Sequence, residues 1–252
     1  MTNFLQRVMS STEIVGAAFK VLWKRWDVML GCILPVFLPL LVLRWVTTGQ
    51  VSQLLSYALG LATPVAGAIA AVVVDEEPNG GATIGRVFDR LRGRWPAVIA
   101  VAFIQSIVTA IGFMLLVIPG IILTAMFAVT PVALVLEREH DIFGAFGRSR
   151  DLARDQWGHI WATLFLAWLV VAGICLLSLA VTAPFLGIFG LRNSGFVVAN
   201  GIGFLYGVGY TALQTLVGLV GAILYFDLRA RQSVRVPGMP SIAPKPQDKV
   251  SS

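Results

Sequence analysis

Apolar runs long enough to cross a membrane recur along this chain, and the basic residues collect in the segments between them. A bilayer core of about 30 Å takes roughly 20 residues of helix. Six runs are candidates, the first and fourth of them short: Val28–Leu43, Leu54–Val74, Pro96–Ile118, Ile121–Leu136, Ile160–Ala183 and Phe196–Phe226. The first extends to Val46 if Arg44 snorkels beside Trp45. Pro119-Gly120 predicts a tight turn between two antiparallel spans, with one long broken helix as the alternative. The last run exceeds a single crossing, so its span is expected mostly after Gly203, with the earlier part as loop or tilted extension. Pro35, Pro39, Pro64 and Pro131 predict local kinks or breaks. The pattern defines an all-α, polytopic bundle of six transmembrane helices.

The segments before the odd-numbered spans have helical rather than apolar periodicity. In the first, Ile14, Ala18, Phe19, Leu22, Trp23 and Trp26 share a face opposite Glu13, Lys20, Lys24 and Asp27. Ser10-Ser11-Thr12-Glu13 supplies a capping-box start. In the second, Ile84, Val87, Phe88, Leu91 and Trp95 oppose Arg86, Asp89, Arg90 and Arg94. In the third, Ile142, Phe146, Ser149, Ala153 and Trp157 oppose Arg148, Asp151 and Asp155. Each reads as a helix in the headgroup layer, apolar face down, with Trp23, Trp26, Trp95 and Trp157 as interfacial anchors. Phe19 to Trp26 and Phe88 to Trp95 span the same interval, while Phe146 to Trp157 is about one helical turn longer. A threefold repeat of interfacial helix, span out and span back accounts for this frame. The other reading is that basic loops of any six-span protein end in interfacial Trp.

Charge fixes the expected orientation. Of 19 Lys and Arg residues, 17 fall before the odd spans or after the last one. The positive-inside rule therefore places both termini in the cytoplasm. Residues 1–27 form a cytoplasmic amphipathic segment with no clean apolar region of a cleavable signal peptide. Residues 28–231 form the membrane domain. The proline-punctuated residues 232–252 read as a disordered cytoplasmic tail. Composition agrees: 57% of the 252 residues are apolar and 13% charged, about half the usual soluble share. Mean hydropathy is +0.83. In such a chain a net charge of +6 points to anionic lipid rather than nucleic acid.

Candidate chemistry is sparse. Cys32 and Cys175 lie inside apolar runs and read as small core residues. His140 and His159 have no ligand cluster around them, so neither a metal nor a cofactor is expected. The chain contains no phosphate-cradling glycine loop, no GxSxG elbow and no HExxH. Ionisable residues are absent from mid-span, which weighs against ion-coupled transport. Gln105, Ser106, Thr109, Thr124, Thr130, Ser178, Asn200 and Gln214 are expected to hydrogen-bond between helices. Gly203 and Gly207 have the small-xxx-small spacing of a close helix crossing. At the basic edge, Glu137, Arg148, Arg150, Asp227 and Arg229 can pair as a helix-end clamp, or the arginines can form a headgroup site.

The same residues carry a family resemblance. Ile118-Pro119-Gly120-Ile121, Pro131, Leu136-Glu137, Ala145, Arg148-Ser149-Arg150, Leu152 and Trp157 resemble the bacterial membrane-domain family named after glycerophosphoryl diester phosphodiesterase. Leu224-Tyr225-Phe226-Asp227-Leu228-Arg229-Ala230-Arg231 is similar to that family's Tyr-Tyr-Asp-Leu-Arg ending. Arg138-Glu139-His140-Asp141 departs from the small, glycine-containing turn often found there. In two-part proteins the hydrolase chemistry belongs to a separate soluble barrel, with a His pair and metal-binding carboxylates. The resemblance therefore implies a membrane module without hydrolase activity. Three functions follow as expectations. The first is a non-enzymatic scaffold or accessory module of a bacterial inner membrane, contacting anionic lipid and a membrane-protein partner. The second is a permease or lipid-handling transporter. The third is a phospholipid or glycerophosphodiester enzyme, which would need Glu137, His140, Asp227 and the arginines around a metal.

Overall fold

The computed structural model describes residues 8–47, 50–51, 62–76, 81–137, 141–154, 156–188 and 196–235. Helices α1 (Ser11–Lys24), α2 (Trp26–Val46), α3 (Ala62–Glu76), α4 (Ile84–Leu91) and α5 (Trp95–Leu115) lead into α6 (Val117–Phe127), α7 (Thr130–Leu136), α8 (Ile142–Ala153), α9 (Trp157–Ile188) and α10 (Phe196–Arg235). Five stretches are long and apolar enough to cross a membrane: Trp26–Arg44, Trp95–Leu115, Ile118–Leu136, Trp157–Ser178 and Leu213–Gln232. The chain is a polytopic helical membrane protein. The second expected span is seen only as the 15-residue α3, because residues 52–61 lie outside the described part.

Helices α3, α7 and α10 occupy the centre and pack on one another. Residues 65–74, 130–135 and 214–225 are buried throughout. Lipid tails are as apolar as these side chains, so close packing rather than water exclusion holds such helices together. The residues are small where the backbones meet. A Cβ on Gly218 would lie 2.6 Å from the Gly67 nitrogen and 2.8 Å from Ala66 Cβ. The observed close crossing thus uses Gly218 against Ala66-Gly67. Gly203 and Gly207 lie on the backbone of α10, with their surroundings outside the described part.

The outward helices form the rim. Only 33%, 22% and 28% of the candidate spans in α2, α5 and α9 are buried, against 78% in α10. Their exposed residues fall on lipid-facing stripes: Leu38 and Val42 on α2; Ile99, Phe103, Ile107 and Ile111 on α5; Phe165 and Leu169 on α9. Pro35 and Pro39 are accommodated inside continuous α2, and Pro64 lies in α3.

The junction after α5 corrects the expected turn. The chain reverses at Leu116, which is extended at φ −165° and ψ 151°. Pro119 and Gly120 lie in the opening turns of α6. Residues eight apart in one straight helix are about 12 Å apart. Here a Cβ on Gly112 would lie only 3.0 Å from Gly120 Cα, so α5 and α6 form a hairpin that needs glycine at both positions. The next interruption falls at Ala128-Val129, just before Pro131, as the proline predicts. It frees the Met126 carbonyl, which accepts a 2.7 Å hydrogen bond from Ser149 Oγ.

The final run contains no loop among its described residues. Helix α10 is continuous from Phe196 to Arg235, about 60 Å long and twice the bilayer core. Gln232–Arg235 are therefore helical rather than part of the tail, and residues 236–252 lie outside the described part.

Candidate functional site

The three amphipathic helices share one construction. Ser10 caps α1 in the expected capping box with Glu13, while Thr83 and Asp141 cap α4 and α8 through their side chains. Each ends at an arginine: Arg25, Arg92 and Arg154. The following long helices α2, α5 and α9 each begin with a tryptophan: Trp26, Trp95 and Trp157.

Their apolar faces turn inward more than the periodicity suggested. Ile14, Val15, Ala18 and Val21 of α1 are buried, and α1 packs on α9 and α10. Val87 and Leu91 of α4 and Ala145, Ser149, Leu152 and Ala153 of α8 are buried likewise. The aromatics sort differently. Trp23 is 81% exposed, Trp26 60% and Trp157 56%. Trp95 is half-buried, its ring centroid 5.7 Å from that of Phe88.

Polar side chains at this end tie the amphipathic helices to the central ones. At the end of α3, Asp75 and Glu76 hold Arg90 of α4, with the Arg90–Asp75 contact at 2.6 Å. Arg94 donates to the Leu134 carbonyl in the last turn of α7 at 2.8 Å. Beyond α7, Glu137 accepts from Arg148 Nε at 2.9 Å and from the Tyr225 hydroxyl. Arg148 also reaches Gln232 Oε1 at 3.3 Å.

The third cluster is the most enclosed. Asp227 is 0% exposed, yet its carboxylate accepts from the Met9 amide at 2.6 Å and from Arg231 Nε at 2.8 Å. His159 Nε2 lies 3.1 Å from the same carboxylate. Arg231 also donates to the Met9 carbonyl at 2.7 Å. Ser11 Oγ lies 3.4 Å from His159 Nδ1 and accepts from Thr163 at 2.9 Å. Hydroxyl, imidazole and carboxylate occur here in the order of a nucleophilic triad. However, the carboxylate is committed to the Met9 amide and Arg231, and the hydroxyl lies in the first turn of α1, packed on α9. This geometry joins the beginning of α1 to the ends of α9 and α10.

The expected clamp is therefore divided. Glu137 and Arg148 pair as the sequence suggested. Asp227 joins Arg231 and His159 rather than Arg148 or Arg150. Arg150 is exposed and lines a cleft beside α6, while Arg229 is half-buried on α10. Reasoning from sequence missed His159, Arg231 and the Met9 amide. Arg231 was legible as an i,i+4 partner of Asp227. The Met9 contact, 218 residues away, had no local signal.

Among the described residues, few of the expected interhelical hydrogen bonds are seen to cross between helices. Gln214 bonds to Thr63 of α3. Ser106, Thr124 and Ser178 instead bond to carbonyls of their own helices. Gln105 Oε1 and Thr130 Oγ1 are buried without a partner among the described residues. Cys32 is buried and Cys175 half-buried, and the two form no disulfide. No group of three His, Cys, Asp or Glu among the described residues is placed to hold a metal, and His140 lies outside them. No family model matches the chain, and no solved structure matches it.

Proposed function

We propose that this protein is a non-enzymatic scaffold or accessory module of a bacterial inner membrane, with both termini and the three amphipathic helices at the cytoplasmic face. The packed centre carries this reading: α3, α7 and α10 bury an almost wholly apolar core where a permease would place its polar path. The basic end holds three amphipathic helices in fixed positions and exposes Trp23, Trp26 and Trp157 around them. Fixed aromatics beside basic residues suit contact with anionic lipid and a membrane-protein partner.

Six spans in a threefold repeat belong to the same proposal. The capped helix, terminal arginine and Trp-initiated span recur three times in chain order. Membership of the family named after glycerophosphoryl diester phosphodiesterase is proposed on the resembling residues. Glu137, Arg148, Ser149, Tyr225 and Asp227 all make tertiary contacts at this end.

Native mass spectrometry of the full chain, gently extracted from its own membrane, tests the function. A stoichiometric membrane-protein partner is the expected result. Release without a partner but with one equivalent of a small polar solute would overturn the scaffold reading in favour of a permease. Glycerophosphodiester hydrolysis by the purified chain would overturn it in favour of an enzyme.

A further inference from the structure

A cleft of about 700 Å³ opens where α6, α8 and the start of α9 meet. Ile122 and Met126 of α6 form its apolar wall, with Ala153 and Trp157 beside them. Ile122 and Met126 belong to the candidate span Ile118–Leu136. Arg150 in the last turn of α8 and Arg154, the residue that caps its end, line the same cleft. Both are exposed, and among the described residues neither is held by a carboxylate. Arg90, Arg148 and Arg231, by contrast, are committed to acids.

We infer that this cleft binds an anionic glycerophospholipid, with its phosphodiester between Arg150 and Arg154 and its upper acyl chain against Ile122 and Met126. The inference rests on the membrane placement proposed above and deepens the lipid part of that reading. The volume lies within the usual range for small-molecule sites. A basic pocket between membrane helices fits a lipid headgroup. Asp151 also lines the cleft, leaving one net positive charge among the three charged residues. That balance suits a singly charged phosphodiester better than a doubly charged phosphate monoester. Trp157 opens α9, whose first-turn amides lack partners within the helix, so this end adds positive potential beside the headgroup.

The test is native mass spectrometry of the purified full-length protein, titrated with phosphatidylglycerol or phosphatidylcholine. The wild type should retain one phosphatidylglycerol in preference to phosphatidylcholine. Arg150→Gln with Arg154→Gln should weaken that binding about thirtyfold, from two charges near the headgroup. Ile122→Trp should weaken it by filling the apolar wall with no change of charge, and serves if the double variant does not fold. Arg86→Gln, a lost charge on α4, should leave it unchanged. Equal retention of the two lipids by the wild type would overturn the inference. So would unchanged binding in both cleft variants, an equal loss in Arg86→Gln, or full displacement by inorganic phosphate. Any of these leaves the scaffold reading standing, because its own test reads a protein partner.

Discussion

Removing the Asp227 carboxylate should open the tie between α1 and the ends of α9 and α10. The carboxylate is fully buried and accepts from Met9 and Arg231, with His159 at 3.1 Å. Asp227→Ala leaves the Arg231 guanidinium without its carboxylate and the Met9 amide without its acceptor. Deleting one member of a buried ion pair costs about 3–5 kcal/mol. A protein of this size loses about 2–4 °C of Tm per kcal/mol, which gives a fall of about 6–20 °C. Asp227→Asn keeps an acceptor for Met9 and should fall between the wild type and alanine. The double variant Asp227→Asn with Arg231→Gln should melt above Asp227→Ala, because no unpaired charge remains. The assay is tryptophan fluorescence during thermal unfolding in detergent, with hydrogen exchange of the Met9–Ser11 amides as a local readout. A melt within about 2 °C of wild type, with unchanged exchange at Met9, would refute the reasoning.

Gly218→Leu should force α3 and α10 apart, since even a Cβ there meets the Gly67 nitrogen at 2.6 Å, while Gly209→Ala, with nothing within 4 Å, should be neutral. Overpacking costs about 1–3 kcal/mol, and equal melting temperatures for the two variants would contradict the crossing. Arg90→Leu should destabilise by about 1–2 kcal/mol, because the hydrogen bonds to Asp75 and Glu76 are charge-assisted and only partly exposed. The loss should shrink in high salt, and a salt-independent loss would assign Arg90 a packing role. Trp23→Ser should leave Tm unchanged, since the ring is 81% exposed, but should reduce quenching of tryptophan fluorescence by brominated lipid. Unchanged quenching would remove Trp23 from the interface.

Five of the six expected spans were legible because lipid leaves the sequence little choice: a backbone crossing it must satisfy its own hydrogen bonds, so long apolar runs become helices. The Ser10–Glu13 capping box was legible because its partners are three residues apart. The α5–α6 reversal was misplaced for a local reason. Proline within the opening turn of a helix loses no internal hydrogen bond, so Pro119 is compatible with helix there. The reversal itself falls on Leu116, a residue with no turn signal. Among the many glycines of α10, the one at the crossing is chosen by what faces it. Gly218 meets Ala66-Gly67, about 150 residues earlier, and only the tertiary structure supplies that register. The inward turn of the amphipathic helices was hidden for the same reason: periodicity shows that a face is apolar but not whether lipid or protein covers it.

The ion pairs make sense together if the Phe-to-Trp frame marks equivalent positions. Aligning Phe19, Phe88 and Phe146 places Ala18, Val87 and Ala145 one residue earlier, and all three are buried. Two residues later stand Val21, Arg90 and Arg148. Arg90 takes the acids that end α3, and Arg148 takes the acid that follows α7. In chain order, each returning helix thus hands its terminal acid to the amphipathic helix that comes next. Continuing around the proposed repeat, the acid near the end of α10 should go to α1, and Asp227 does reach the residue preceding the α1 cap. At that junction the arginine position is Val21, which is buried. The frame position of α1 therefore offers Asp227 no arginine. Asp227 is neutralised instead by Arg231 from its own helix, and it reaches α1 through the Met9 amide, with His159 as a further partner. On the proposed repeat, the valine at this position of the frame goes together with the use of Arg231, His159 and the Met9 amide at this junction. The contact joining the two ends of the described chain is thus made to backbone.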